Sequence, residues 1–163
     1  GLESARADLY RDAVVVITPP SGSDAVAVSR VAAFWRSVGA RPVLMSARDH
    51  DNLIAATSHL PHLLAALLVR HVAGRKGAKA TVLCGGGFRD TTRIADGSPE
   101  MWHDVLVTNA PAVLREMKAF SRLLSACTRM IGRGDFAGVR RILEAARKQR
   151  GLLLPGRVAG VQQ

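Results

Sequence analysis

Aromatic residues are scarce in this sequence, at 4% of its 163 residues. Proteins that bind single-stranded nucleic acid usually stack the bases on aromatic side chains, so this class of protein is poorly supported. Hydrophobic residues still make up 48% of the chain, which is enough for a packed core. We expect that core to consist of Ala, Val, Leu and Ile side chains in closely packed helices.

Cysteines and long apolar runs are also in short supply. Cys84 and Cys127 lie far apart and outside any CxxC or Cys/His cluster, so neither a disulfide framework nor a metal site is predicted. No apolar run reaches the ~20 residues that span a bilayer, and no signal-like segment opens the chain. These observations predict a soluble, cytoplasmic protein without a membrane partner.

Acidic residues are outnumbered, with 13 Asp and Glu against 23 Lys and Arg, which gives a formal net charge of +10. Residues 110–163 carry most of the excess, and a basic tail begins at about residue 132. A basic helix that contains Arg140, Arg141 and Arg147 is compatible with binding to nucleic acid. A solvated helix face explains the same charge, and we expect no nucleic-acid partner.

The first 46 residues have the pattern of a strand, a helix and a second strand. An apolar run at 13–17 predicts a buried strand, Asp24 predicts the start of a helix over 25–38, and residues 41–45 predict the next strand. Such a βαβ unit has parallel strands, and two strands are too few for an independent sheet. The unit is therefore expected to complete a sheet whose other strands are missing, in agreement with the abrupt start at Gly1.

The rest of the chain has helical periodicity interrupted at prolines and glycines. Pro61 predicts a break about one turn earlier in the helix over 47–74, and Pro111 predicts a kink in the helical segment over 100–131. The other predicted features are a short apolar stretch at 80–83, a short helix at 88–95, a helix capped by Ser98, a final helix from Asp135 to about Arg150 and a loose tail from Gly151.

Two segments carry residues suited to chemistry. Residues 58–62, with the sequence SHLPH, place two imidazoles three positions apart beside a proline, although histidines at a helix break are commonly structural. Residues 85–93, with the sequence GGGFRDTTR, lack the spacing of a nucleotide-binding loop, so we reject that function for them. Asp90 and Arg93 are spaced for an ion pair, and Arg93 could instead bind a carboxylate.

Three segments in order resemble the prephenate dehydrogenase family of tyrosine biosynthesis: SHLPH at 58–62, GGGFRDTTRIA at 85–95 and PEMW at 99–102. The similarity extends to Ile17-Thr18-Pro19, to Asp49-His50-Asp51 and to Asn109, and covers most of residues 1–131. Two departures from the family pattern are Gly97, where a small polar residue is common, and Pro111. Neither departure is expected to involve Arg93 or His62.

The resemblance implies a mainly α chain with an N-terminal α/β piece. Residues 1–46 would be the last βαβ of a Rossmann-type nucleotide-binding domain, and residues 47–163 would be an all-helical domain that binds substrate and forms a homodimer. The glycine-rich nucleotide fingerprint and the catalytic histidine would then lie before Gly1. The fragment alone is therefore expected to be inactive.

The implied reaction is the oxidative decarboxylation of prephenate to 4-hydroxyphenylpyruvate with NAD or NADP. Arg93 would pair with a substrate carboxylate, while Ser58 and His62 would hydrogen-bond the substrate. The residues implied to line or orient the pocket are Gly86, Asp90, Met101 and Trp102. Two alternatives remain open, an arogenate dehydrogenase on the same scaffold and a helical dimerisation module without catalytic activity.

Overall fold

The computed structural model describes residues 6–154, apart from the side chains of residues 75, 76 and 78. The start at Gly1 and the tail beyond Leu154 lie outside these residues. The chain forms two compact units, Gly1–Glu116 and Met117–Gln163. The predicted boundary between domains at residues 46 and 47 stays a prediction.

The N-terminal segment forms the predicted βαβ unit. Strand β1 (Val14–Ile17) pairs in parallel with β2 (Arg41–Leu44), and helix α1 (Ala25–Ser37) connects them. The Asp24 carboxylate accepts hydrogen bonds from two backbone N–H groups of the first turn of α1, which fixes where that helix begins. Gly39 follows α1 at φ +87°, a backbone conformation that favours glycine.

Helices make up the remainder of the described chain, which confirms the mainly α class. A π-helical segment (Ala55–His59) joins α2 (Ala47–Ile54) to α3 (Leu60–Lys76), so the regular α-helix is interrupted before Pro61, as predicted, while the helical run continues. The other helices are α4 (Ala78–Thr81), α5 (Gly86–Thr92) with a 3-10 turn (Arg93–Asp96), α6 (Pro99–Thr108), α7 (Ala110–Gly132) and α8 (Phe136–Leu153).

Three local predictions need correction. Pro111 does not kink a continuous helix, because α6 ends at Thr108 and Pro111 lies in the first turn of α7, where its missing N–H costs no hydrogen bond. The predicted loose tail does not begin at Gly151, since α8 continues to Leu153; the rest of that tail lies outside the described residues. The apolar stretch at 80–83 belongs partly to the short helix α4.

Small side chains form the buried core of the described residues. The buried apolar residues are Ala32, Ala40, Ala55, Ala65, Ala112 and Val113, and within 6–154 no large side chain is fully buried. Many leucines and valines are exposed instead, including Leu83 on the loop before α5 and Leu123 on α7. A chain with this much apolar surface in water is suited to contact with further protein.

One helical run, Ala47–Gly74, is long and apolar enough to cross a membrane by length and composition alone. The sequence criterion of an uninterrupted apolar run did not detect it, because Thr57, Ser58, His59 and His62 interrupt its apolar residues. A single helix of this kind is weak evidence for a membrane span. Two histidines within the run are buried against a neighbouring helix, as described next.

Candidate functional site

The site begins at the π-helical segment that precedes Pro61. The Leu60 N–H donates to the Ala55 carbonyl, which is the wider i to i+5 spacing, and the Thr57 hydroxyl donates to the Leu53 carbonyl. A proline has no N–H for the ordinary helical bond and its ring crowds the preceding turn, so the wider turn relieves both problems. Ser58 is half-buried in this segment, and His62 is buried one turn later.

His62 stacks on the indole of Trp102. The two ring centroids lie 3.6 Å apart with an interplanar angle of 14°, and His59 meets the same indole edge-on at 6.1 Å. Trp102 is held in place because the Ser98 hydroxyl caps the first turn of α6 by accepting from the Met101 N–H. Two helices thus contribute a packed group of three rings.

Asn109 connects this ring group to α2 through hydrogen bonds. Its Nδ2 donates to the Asp51 carbonyl at 2.8 Å and lies 3.4 Å from Nδ1 of His59. An Nδ1 atom that accepts a hydrogen bond places the proton of the neutral His59 ring on Nε2. The sequence offered no local signal for this contact, because Asn109 is 50 residues from His59.

Both buried histidines favour their neutral form. Burial lowers the pKa of His62 from its usual 6.5. Burial also lowers the pKa of His59, an effect that the nearby Asp51 carboxylate opposes and that His50 reinforces. At neutral pH these rings are therefore hydrogen-bonding groups and not cations, so a positive charge for a carboxylate must come from another residue.

The lowered pKa values predict a pH dependence of stability. A group that loses proton affinity on folding stabilises the protein fully above its unfolded pKa, and that stability is lost as the pH falls. The melting temperature should therefore fall between about pH 7 and about pH 5, and it should fall less in His62→Phe, which keeps a flat ring without a titrating group. Thermal unfolding followed by circular dichroism measures the melting temperature at each pH. The exposed residue His103 provides the control variant His103→Gln. An equal change of melting temperature with pH in His62→Phe and in the unsubstituted protein would contradict the prediction.

Arg93, in the 3-10 turn, is exposed and lines a cavity. The cavity measures about 310 Å³ and is lined by Val69, Arg89, Asp90, Thr92, Arg93 and Asp96. The predicted ion pair between Asp90 and Arg93 is wrong, since within residues 6–154 the Arg93 guanidinium makes no ion pair or hydrogen bond. Arg89 differs, because its Nε donates to the Cys84 carbonyl.

The cavity and the ring group adjoin through the loop between the 3-10 turn and α6. Asp96 lines the cavity, and the next residue, Gly97, lies against both Trp102 and His62. A cavity that contains an unpaired guanidinium, one residue along the chain from a group of neutral rings, suits an anionic ligand that carries a flat ring. Because Gly97 lies against His62, the expectation that this departure from the family pattern does not involve His62 is wrong.

Three predicted site residues stay outside these two groups. Ser58 is half-buried, Gly86 begins α5 at the surface and the Met101 side chain is half exposed. In the described part of the chain, no side-chain hydrogen bond or ring contact joins them to His62, Trp102 or Arg93. Their assignment to the pocket stays a prediction.

The glycine segment at 85–87 does not form the tight turn of a dinucleotide site. A Cβ atom built at Gly85, Gly86 or Gly87 would meet nothing within 4 Å, so these glycines are not kept small by a tight phosphate-binding turn. A larger cavity of about 470 Å³, lined by Val72, Lys79, Ala80, Leu83, Cys84 and Phe88, is mostly apolar. No group of three His, Cys, Asp or Glu suited to a metal occurs among residues 6–154.

Comparison with known proteins gives consistent matches. Residues 46–145 match the family model for the prephenate dehydrogenase dimerization domain. The chain is 38% identical to cyclohexadienyl dehydrogenase of Zymomonas mobilis over 74% of its length and 42% of that protein. It is 30% identical to prephenate dehydrogenase of Bacillus subtilis over 92% of its length and 41% of that protein.

Solved structures have the same fold. Prephenate dehydrogenase from A. aeolicus in complex with hydroxyphenyl propionate and NAD+ superposes with a TM-score of 0.86 at 29% identity, over 94% of this chain and 54% of that one. Synechocystis arogenate dehydrogenase gives a TM-score of 0.85 at 27% identity, over 94% and 56%. The chain spans less than half the length of the Zymomonas mobilis and Bacillus subtilis relatives. From the family match over residues 46–145, the chain belongs to the prephenate dehydrogenase family.

Proposed function

We propose that this chain is the substrate-binding and dimer-forming part of a prephenate dehydrogenase, which converts prephenate to 4-hydroxyphenylpyruvate by oxidative decarboxylation with NAD or NADP. The observation that carries the proposal is the unpaired Arg93 guanidinium in a cavity that adjoins the stacked His62 and Trp102 rings. The similarity to relatives named prephenate dehydrogenase supports the same reaction.

Each residue of the site has a role that matches the substrate. Prephenate carries one carboxylate on its ring and a second at the end of its keto side chain, and Arg93 can bind one of them through two parallel hydrogen bonds. Neutral His62 and the Ser58 hydroxyl provide hydrogen bonds without adding charge. The Trp102 indole forms a wall that excludes water, and Gly86, Asp90 and Met101 complete the lining.

The dinucleotide and the catalytic histidine are not assigned to this chain. When bound, NAD or NADP would accept the hydride, but the described residues form no cradle for it and we derive no step of hydride transfer from them. A nucleotide-binding domain outside this chain would supply both groups, with β1, α1 and β2 as its last strands and helix. The shares of the relatives' length that this chain covers support that arrangement.

The apolar surface of the second unit supports a homodimer. Its helix α8 buries little of its own surface, while Phe136, Leu143 and Leu152 are more than half exposed. Exposed side chains of this size cost free energy in water, and contact with a second copy would remove that cost. The name of the matching domain supports the same assembly. We place the protein in the cytoplasm, with its substrate.

Arogenate is the alternative substrate, because a protein with the same fold is an arogenate dehydrogenase. Arogenate differs from prephenate in carrying an amino group in place of the side-chain keto group, and both retain a ring carboxylate that Arg93 could bind. The described residues do not discriminate between the two. The substrate preference is therefore one of the quantities to be measured.

The experiment is an assay of the protein that carries this chain together with its nucleotide-binding domain. Prephenate and arogenate are each supplied with NAD and with NADP, and formation of the reduced nicotinamide is followed by absorbance. We expect turnover of prephenate by a protein that sediments at twice its chain mass. A folded dimer that turns over neither substrate would contradict the enzymatic proposal and leave the dimerisation module as the function.

A further inference from the structure

Gly97 is glycine for reasons of space and not of backbone conformation. Its φ of −63° and ψ of 151° are available to any residue. A Cβ atom built at this position would lie 2.6 Å from Nε1 and 2.9 Å from Cδ1 of Trp102, and 3.1 Å from Cε1 of His62. The first two distances are shorter than real Cβ contacts, so a side chain here requires the rings to move.

The rings have little freedom to move. The Trp102 indole is a rigid bicycle whose face is stacked on His62 at 3.6 Å and whose surface also meets the edge of His59. His62 is only 6% exposed, so it cannot shift outward without opening the packing of α3. The Ser98 cap, one residue after Gly97, fixes the start of α6 and with it the position of Trp102.

We propose that Gly97, at a position where a small polar residue is common in the family, is a positioning residue of the substrate pocket in this chain: the absence of a side chain lets Trp102 stack on His62 beside the cavity that Arg93 lines. Gly97 does not touch the substrate in this proposal, since it acts through the two rings. The part that concerns the substrate rests on the proposed function. The part that concerns the ring pair stands on the geometry alone.

The ring pair is tested first by fluorescence. In a Trp35→Phe background Trp102 is the only tryptophan, and its quenching by acrylamide reports how well the ring is covered. Gly97→Ala should raise the quenching constant about two-fold, because a displaced indole loses its cover. Gly74→Ala is the matched control, since a Cβ there meets nothing within 4 Å. Equal quenching in Gly97→Ala and the background protein would overturn the proposal.

A double-mutant cycle shows whether the effect passes through Trp102. Gly97→Ala should raise the unfolding equilibrium constant about 10-fold or more in the parent, and less than about 3-fold in a Trp102→Leu background, where the rigid ring is gone. If the single variant does not fold but the double variant does, the cycle supports the proposal. A similar penalty in both backgrounds, or a double variant that also fails to fold, would overturn it.

The functional part is tested on the enzyme with its nucleotide-binding domain. Gly97→Ala should raise KM for prephenate about 10-fold and change kcat less, because substrate binding is misaligned while the groups that react are intact. An altered fluorescence with an unchanged KM would overturn the role in the substrate pocket. If the parent enzyme turns over no prephenate, the proposed function fails, and the fluorescence and the double-mutant cycle still decide whether Gly97 holds the rings.

Discussion

Replacing Arg93 with alanine is expected to raise KM for prephenate about 30-fold to 100-fold, because the substrate carboxylate loses a charge-assisted bond of about 2 to 3 kcal/mol. The Arg93 guanidinium makes no ion pair within residues 6–154, so its removal leaves no protein carboxylate uncompensated and should hardly change stability. Initial rates of the enzyme with its nucleotide-binding domain, measured against prephenate concentration, give the value.

Two further variants test whether the effect of Arg93→Ala on KM is specific to the guanidinium at this position. Arg93→Lys keeps the charge but loses the planar pair of donors, so KM should fall between those of the parent and of Arg93→Ala. Arg30→Ala, on the exposed surface of α1, removes the same charge far from the site and should leave KM unchanged. If Arg30→Ala and Arg93→Ala raised KM equally, the effect would be one of net charge, and Arg93 would have no specific role.

The second large effect is expected at Trp102. Trp102→Ala should lower the free energy of unfolding by about 3 kcal/mol, at the lower end for a tryptophan because the side chain is only half-buried. The change removes the stacking partner of His62 and the edge contact of His59, and it leaves a void between α3 and α6. Denaturant unfolding followed by circular dichroism measures the loss.

Met101→Ala is the matched control for Trp102→Ala. Met101 precedes Trp102 on the same helix but is 52% exposed, so its truncation should change stability by less than about 0.5 kcal/mol. Comparable losses for the two variants would mean that α6 as a whole, and not the ring contacts of Trp102, determines the stability. A loss below about 1 kcal/mol for Trp102→Ala would contradict the packing described here.

Local sequence signals predicted most of the elements correctly. Asp24 and Ser98 mark the first turns of α1 and α6 because their side-chain oxygens accept from otherwise unpaired N–H groups. Pro61 marks the π-helical break, since a proline cannot make the usual helical bond. The kink predicted at Pro111 is wrong, because a proline is equally suited to interrupt a helix and to begin one, and only the chain geometry at Asn109 separates these cases.

The candidate site was predicted only in part. The ordered motifs identified the family and selected His62, Trp102 and Arg93 as residues of interest, but spacing along the chain could not show which of them meet. The pairing of Asp90 with Arg93 was expected from their i, i+3 positions and does not form. Asn109 and Gly97 act on residues of other helices, so no local pattern could reveal their contacts.

The sequence by itself determined the helical class, the βαβ start and the family, because caps, prolines, periodicity and ordered motifs act over a few neighbouring residues. Only the tertiary structure decided that His62 stacks on Trp102, that Arg93 lines a cavity without an ion pair among residues 6–154, and that Gly97 lies against both rings. These facts depend on distances between helices. Such distances are set by the packing of α3 against the 3-10 turn and α6, and no single stretch of the sequence encodes them.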